Sequence, residues 1–543
     1  QAAFKGSKEI GFAIVAMTIS LAAVFAPIAF TEGRTGKLFA EFALTLAGAV
    51  LVSGFVALTL SPMMCSRLLK HSDDHGAFYL WGERMLDGLG NAYRRSLQAS
   101  LKARPLVLAV GAACLVGMYF SFTGLKSELS PTEDRGTIVG FGIGPEGSTT
   151  EFLDRYSRQL EGVFAGVDEV ERYFVITGLF PSESNIIAFA GLKDWDERQR
   201  QAQAIAGELG GPMFAGIPGI MSFPVLPASL GQSPIARPVE LVLQSTGDFA
   251  DLQRLVGAVM GKVYASGKLA NPDVDLKLNK PELIVQVNRD KAASVGVQVS
   301  DITSTLSTLL GGTTVNRYRQ GNEQYDVIVK VEDSARTTPE SLSEIYVRNR
   351  SGAMIQLSNL VTVTESVAPK ELNHFNKLRS ATIQASLTPG ITQGEALDWL
   401  RNQVQETAAE LGIQGVQFDY GGQAREYIQS GNTLMVTFVL ALVFIYLVLA
   451  AQFESFRSPM VIMLTVPLAI LGALLTMHMT GGTLNVYSQI GLITLIGLIT
   501  KHGILMTEFA NQLREQGKDK FDAIIEGSVL RLRPILMTTG AMV

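Results

Sequence analysis

Asn485-Val-Tyr-Ser-Gln-Ile-Gly-Leu-Ile-Thr-Leu-Ile-Gly-Leu-Ile-Thr-Lys501-His-Gly-Ile-Leu-Met-Thr-Glu-Phe-Ala510 is an apolar run long enough to cross a bilayer as a helix. Lys501 lies well inside it, where the side chain does not reach either lipid surface. Holding a lysine near the middle of a spanning helix costs about 2.5–3.5 kcal/mol or more. Lys501 therefore calls for a buried partner, and an ionisable residue at such depth is by default a candidate ion or proton relay.

Working outward, the rest of the chain has the same character. It has 543 residues, of which 47% are hydrophobic, and a mean hydropathy of +0.24. Spanning segments are expected at about 11–31, 41–63, 105–124, 433–452, 459–479 and 487–510. A seventh is expected to begin near Pro534. The chain starts at Gln1 with no basic leader ahead of it and stops at Val543 inside an apolar run. It reads as a piece of a longer polypeptide.

Basic residues settle the orientation, because short loops rich in Lys and Arg stay cytoplasmic. Lys5 and Lys8, then Arg67, Lys70, Arg94, Arg95, Lys102 and Arg104, then Arg514, Lys518, Lys520, Arg531 and Arg533 fall on one side. The large section 125–432 then lies outside. A net charge of −5 and a pI near 5.7 argue against nucleic acid as a partner. The two cysteines, Cys65 and Cys114, fall at or in membrane segments, so they read as apolar packing residues and no disulfide framework holds the outside section.

Between spans, residues 79–100 place Trp81, Met85, Leu86, Leu89, Tyr93 and Leu97 on one broad helical face, with most charges elsewhere. This predicts an interfacial helix on the cytoplasmic leaflet. Section 125–432 is too long for a loop. Strand-like runs at 137–143, 172–177 and 185–192 flank a helix-like stretch at 148–164. The alternation returns in 238–244, 247–265 and 282–287, and again in 380–386, 393–411 and 416–420. Repeated strand, helix, strand units of this size predict small α/β sandwiches, ferredoxin-like or close to it.

The order of these segments, the large outside section and the run Gly497–Ala510 resemble the C-terminal half of a resistance-nodulation-division (RND) transporter, in its hydrophobe/amphiphile multidrug efflux branch. Phe25-Ala-Pro-Ile-Ala-Phe30, Leu60-Ser-Pro-Met-Met-Cys65, Leu129-Ser-Pro-Thr-Glu-Asp-Arg-Gly136, Leu192-Lys-Asp-Trp195 and Arg531-Leu-Arg-Pro-Ile-Leu-Met-Thr538 carry the same likeness. The resemblance covers essentially the whole chain. It implies a secondary active transporter of the bacterial inner membrane, not an enzyme. Such a pump needs no cofactor, runs on the proton motive force and exports amphiphilic compounds. It implies a homotrimer working with a periplasmic adaptor and an outer-membrane channel.

By that resemblance 1–78 hold the fifth and sixth transmembrane helices of the parent, 79–100 the interfacial helix and 101–124 the seventh. A first porter subdomain would occupy 125–238, a second 239–281 with 373–432, and a docking subdomain 282–372. Helices eight to ten would fill 433–510, and 511–543 would hold a cytoplasmic loop and the start of the eleventh. The docking hairpin 311–326 would reach into a neighbouring subunit, although polar, turn-rich hairpins are also simply exposed.

The implied relay is Lys501, Thr538 and Arg531, with its paired aspartates on a helix before Gln1. The sequence agrees in one respect. Glu41 falls at an outer span end and Glu454 and Glu508 towards the inner side, so no carboxylate lies at mid-depth. Glu508 is seven positions from Lys501, roughly 10 Å along a helix, too far for a tight pair. A lysine held beside carboxylates favours their ionised form, and protonating them weakens the attraction. Proton binding can then shift one helix against another. Thr538 can equally bond its own helix backbone, and Arg531 can equally serve as a positive-inside residue.

For substrate, the resemblance implies Phe174, Leu179, Phe180 and Phe189 at a distal aromatic pocket, with the intervening turn as a switch loop. Leu179 stands where multidrug members usually carry Phe. Met221 and Phe223, in the Pro-punctuated run 217–227, are expected to line an entrance cleft. Phenylalanines without a charged anchor suit greasy ligands of variable shape. The 17 methionines raise a copper- or silver-exporting relative as the alternative, but they are spread through apolar helices where Met fills gaps. A translocation accessory would have a smaller outside section. An enzyme would show a hydrolytic or phosphate-binding motif, and none is present. His502, about 100° round the helix from Lys501, is expected to face lipid or pack between helices.

Overall fold

The computed structural model describes residues 2–30, 33–68, 77–178, 183–233 and 235–542. Helices α1 (Ala2–Ala29) and α2 (Gly33–Leu68) form an antiparallel pair, followed by α3 (Ala77–Lys102) and α4 (Arg104–Gly124). Thr18 and Gly54 set how closely α1 and α2 approach, since a methyl at Gly54 would fall 2.6 Å from Thr18 Oγ1. On α3, Trp81, Met85 and Leu89 point away from the protein. Their spacing of four leaves one apolar stripe uncovered, as an interfacial helix requires.

The chain then builds a first α/β unit: β1 (Thr137–Ile143), α5 (Thr150–Ala165), β2 (Val170–Thr177), β3 (Asn185–Leu192), α6 (Ala202–Gly216) and β4 (Met221–Val225). Its antiparallel sheet has the order β2-β3-β1-β4. Alternate residues Ile186, Ala188 and Ala190 turn to one face and are buried against Leu153, Leu160 and Phe164 of α5 and Leu209 and Met213 of α6. Thr149 caps α5 by accepting from Phe152 N. Gly140 is required where α5 crosses the sheet, because a Cβ there would sit 2.8 Å from Phe164 Cζ.

A second α/β unit begins with β5 (Val239–Ser245), α7 (Phe249–Ser266) and β6 (Leu269–Val274). An inserted unit interrupts it: β7 (Lys280–Val287), α8 (Arg289–Ser294), α9 (Val299–Leu306), β8 (Thr313–Gln320), β9 (Glu323–Val329), β10 (Tyr346–Arg348), β11 (Met354–Gln356) and β12 (Val361–Ala368). Its outgoing and returning strands, β7 and β12, pair antiparallel, and its core gathers Ile302, Val347, Leu357 and Leu360. The second unit resumes with β13 (His374–Phe375), β14 (Leu378–Leu387), α10 (Gln393–Glu410) and β15 (Val416–Tyr420), in a sheet ordered β13-β14-β5-β15 with β6 also on β14.

One strand assignment needs correction. The run 282–287, expected to follow 247–265 in the same sheet, belongs instead to the insertion, and the sheet takes β6. Asn271 and Pro272 hide β6 from a propensity reading, and its place on an edge beside a register shift is where such residues are tolerated.

The chain returns to the membrane side as α11 (Gly422–Gln452), α12 (Arg457–Met463), α13 (Val466–Thr480), α14 (Val486–Glu515) and α15 (Lys520–Met542). Six segments among the described residues are long and apolar enough to span: Gly11–Ala29, Gly33–Leu68, Arg104–Gly124, Gly422–Gln452, Arg457–Thr480 and Val486–Glu515. All six coincide with expected segments. The fifth is broken between α12 and α13 because Pro467 lacks an N–H and crowds the preceding turn. Thr465 Oγ1 donates to Ile462 O at 2.7 Å beside the break. α11 starts eleven residues earlier than 433, so it stands above the membrane and runs directly out of β15. α15 is already helical from Lys520, with Pro534 inside it, so most of the stretch expected to be a loop is helix.

Candidate functional site

Helix α14 is fixed at its outer end by a reciprocal cap. Asn485 Oδ1 accepts from Ser488 N at 3.0 Å, and Ser488 Oγ accepts from Asn485 N at 2.8 Å. Below the cap, Ile490, Ile493, Ile496, Gly497, Thr500 and Ile504 are buried. Gly497 meets α1, where a Cβ would fall 2.7 Å from Leu21 Cδ1. Lys501 is one turn further along, so it shares the Gly497 face towards α1. It stands sixteenth in a helix of 30 residues. It has no hydrogen bond or ion pair with any described residue.

The other two relay candidates lie on α15, which packs along α14. Thr538 Oγ1 is 3.5 Å from His502 Nε2 and donates to Ile535 O at 2.9 Å. The Arg531 guanidinium lies over the Phe509 ring, 4.4 Å from its centroid. Thr538 and Arg531 are thus brought to the face of α14 next to Lys501 and not onto Lys501 itself. His502 takes the interhelical position. Spacing gave its angle to Lys501 but no hint of which helix it would face.

The outer end of α14 is tied to the α/β units. Leu484 N donates to Lys126 O at 2.8 Å, Glu128 N to Leu484 O at 3.2 Å and Val486 N to Leu129 O at 3.2 Å. Thr483 Oγ1 donates to Glu128 Oε1 at 2.5 Å. Burial pushes the Glu128 carboxyl above its ordinary range, and the Thr483 bond opposes this. The same linker reaches the second unit, since Leu129 N donates to Gln393 Oε1 at 3.0 Å at the start of α10. The linker between α4 and β1 is thus hydrogen-bonded both to the outer end of α14 and to the start of α10.

The substrate candidates converge on the sheet face of the first unit that α5 and α6 leave open. Phe174 pairs with Phe189 across β2 and β3, and Phe223 with Phe141 and Met221 with Ile143 across β4 and β1. Phe174 is 63% exposed, whereas the Phe141 and Phe223 rings pack 5.7 Å apart. Strand alternation thus puts Phe174, Phe189, Met221 and Phe223 on one face. Leu179 and Phe180 lie outside the described residues. Phe223 and the adjoining Pro-rich run also line a cleft of about 510 Å³ between the two units. The open face carries a charged anchor, contrary to expectation: Arg237, only 6% exposed, stacks its guanidinium 5.0 Å from the Phe223 centroid and 5.6 Å from that of Phe141. It sits in Ile235-Ala-Arg-Pro238, just before a strand, where no motif marks it.

Spanning helices on either side of repeated α/β units, with Lys501 inside one span and an aromatic cleft outside, describe a polytopic membrane protein with a large outer portion. The whole chain, residues 1–543, matches the AcrB/AcrD/AcrF family, and the protein belongs to that family of RND efflux transporter homologues. An uncharacterized transporter of Haemophilus influenzae is 38% identical over 552 residues. The toluene efflux pump membrane transporter TtgB of Pseudomonas putida is 31% identical over 557 residues, and the multidrug resistance protein MdtF of Escherichia coli 29% over 559. Each alignment takes in 100% of this chain and 53% of the relative, so the chain spans about half the length of these relatives. Six long apolar helices flanking a large β-rich section make it a multi-pass inner-membrane protein whose outer section is periplasmic. Among the described residues no group of three or more His, Cys, Asp or Glu is placed to hold a metal ion.

Proposed function

We propose that this chain is the C-terminal half of a proton-driven pump of the hydrophobe/amphiphile branch, exporting amphiphilic compounds from the periplasm or inner membrane. The observation that carries the reading is the hydrogen-bonded linker joining the Lys501 helix to both α/β units. Lys501 is the cation of the relay, and its carboxylate partners come from the part of the parent protein before Gln1. Thr538, with His502 against it, and Arg531 line the neighbouring face of α14. Protonation of the carboxylates releases Lys501, α14 moves against α1, and the linker carries the motion outward.

The strand order of both outer units, each built β-α-β-β-α-β once the insertion and the two-residue strand β13 are set aside, supports ferredoxin-like porter subdomains at 125–238 and at 239–281 with 373–432. The insertion is the docking subdomain. Its β8–β9 hairpin supports a homotrimer: both faces are exposed, Val315, Tyr318 and Ile328 included, and an isolated hairpin is at best marginally stable in water. A neighbouring subunit would cover it. A periplasmic adaptor and an outer-membrane channel complete the path. Phe174, Leu179, Phe180, Phe189, Met221 and Phe223 bind the apolar body of the substrate.

The test is accumulation of a lipophilic dye in efflux-deficient cells expressing the full-length parent protein. Accumulation falls on expression and is restored by a protonophore. Equal accumulation with and without the protein contradicts the reading.

A further inference from the structure

The open faces of the two sheets meet across a second cleft of about 630 Å³ that runs from Phe141 and Ile143 to Val274 and Gln384. Five cations and five carboxylates line it, and most are already matched. Lys277 and Lys370 both reach Glu146, at 3.4 and 3.1 Å, and Lys277 also reaches Asp273 at 3.2 Å. Asp275 accepts from Thr382 N at 2.6 Å and from Asn373 at 3.1 Å. Arg425 donates to Tyr420 O at 2.9 Å and faces Asp419 at 3.4 Å. Arg34 donates to Gly231 O at 3.0 Å.

Arg237 is different. More than nine-tenths buried, it makes one hydrogen bond, from Nη1 to Asn271 O at 3.0 Å, and no ion pair with a described residue. A guanidinium has five N–H donors in a fork that matches a carboxylate. Burial lowers its pKa, opposed by the more distant charges of Asp273 and Glu240. Glu240 is the carboxylate three residues along. Burial, then Asp275, raise its pKa, and the charges of Arg425 and Arg237 oppose this.

We propose that Arg237 is the headgroup-selecting residue of this cleft, favouring amphiphiles that carry a carboxylate. The apolar body lies against Phe141 and Ile143, and the carboxylate takes the free edge of the guanidinium that the Phe141 ring and the buried Phe223 ring hold in place. This deepens the transport reading and rests on it.

The experiment uses the full-length parent protein in efflux-deficient cells and two probes with one body, pyrenebutyrate and its primary amide. Arg237→Met is expected to lower export of the carboxylate about tenfold, the worth of a charge-assisted hydrogen bond, and to leave the amide within about twofold. Arg237→Lys restores part of the carboxylate export. Equal loss of both probes, or no loss of the carboxylate, overturns the assignment and leaves transport standing. Wild-type protein that exports neither probe contradicts the transport reading and this assignment with it.

Discussion

His502 and Thr538 face each other across α14 and α15, Nε2 to Oγ1, at 3.5 Å. Seven residues further along α14 and seven back along α15, Phe509 lies under Arg531. The two contacts therefore belong to one antiparallel seam, repeating every two helical turns. Lys501 lies on the adjacent face, so a shift of α14 that moves Lys501 also slides this seam.

Thr538→Val keeps the shape of the side chain and removes its hydroxyl. If the hydroxyl serves the seam, export by the full-length protein falls about three- to tenfold, and Thr538→Ser restores it. Export by the valine variant at the wild-type rate would show that Thr538 does no more than bond Ile535 O.

Gly497 sets the distance between the Lys501 helix and α1. Gly497→Leu drives a side chain into Leu21 and Val24, where even a Cβ would be 2.7 and 3.0 Å away. The expected cost is about 1–3 kcal/mol, read as a lower melting temperature of the purified protein. Gly491, whose Cβ would meet nothing within 4 Å, supplies the control: Gly491→Ala leaves the melting temperature unchanged or raises it. Equal behaviour of the two positions would contradict the packing.

Asp134 ties the segment just before β1 to the start of α6. It accepts from Arg198 at 2.6 Å, from Ala202 N at 2.8 Å and from Gly136 N at 3.0 Å. The Arg198 bond, against the cost of burial, brings its pKa down from 3.8 to about 2. A depressed carboxylate contributes its stability above the unfolded value and loses it as pH falls through the folded one. The contribution, about 2 kcal/mol, is therefore complete above pH 4 and disappears between 3.8 and about 2. Trp195, whose ring lies 5.9 Å from the Arg198 guanidinium, reports it by fluorescence. Asp134→Asn should abolish the acid transition of this signal and destabilise the unit by about 3–5 kcal/mol, since it leaves Arg198 buried without its counter-ion. An unchanged transition in the variant would show that another group controls it.

The spans and most strands were legible because each follows a simple rule. Ile186, Ala188 and Ala190 alternate, and the run from Ile490 to Thr500 is apolar at bilayer length. β6 was not legible, because Asn271 and Pro272 have no strand propensity and the edge position that tolerates them is a property of the assembled sheet. The candidate site was legible residue by residue but not as a geometry. Phe174, Phe189, Met221 and Phe223 come from three strands, and only the β2-β3-β1-β4 order puts them on one face. Arg237 carries no sequence signal, since an arginine before a proline looks like any surface turn until the Phe141 and Phe223 rings are in place.

Lys501→Met in the full-length protein tests the central claim most directly. Proton-driven export is measured in energised inverted vesicles, with folding checked by melting temperature and by the trimer fraction. The variant is expected to fold as the wild type, or more stably because a charge is removed from a spanning helix, and to export nothing above the protonophore-treated background. Export at the wild-type rate, still abolished by the protonophore, would show that Lys501 is not part of the coupling site.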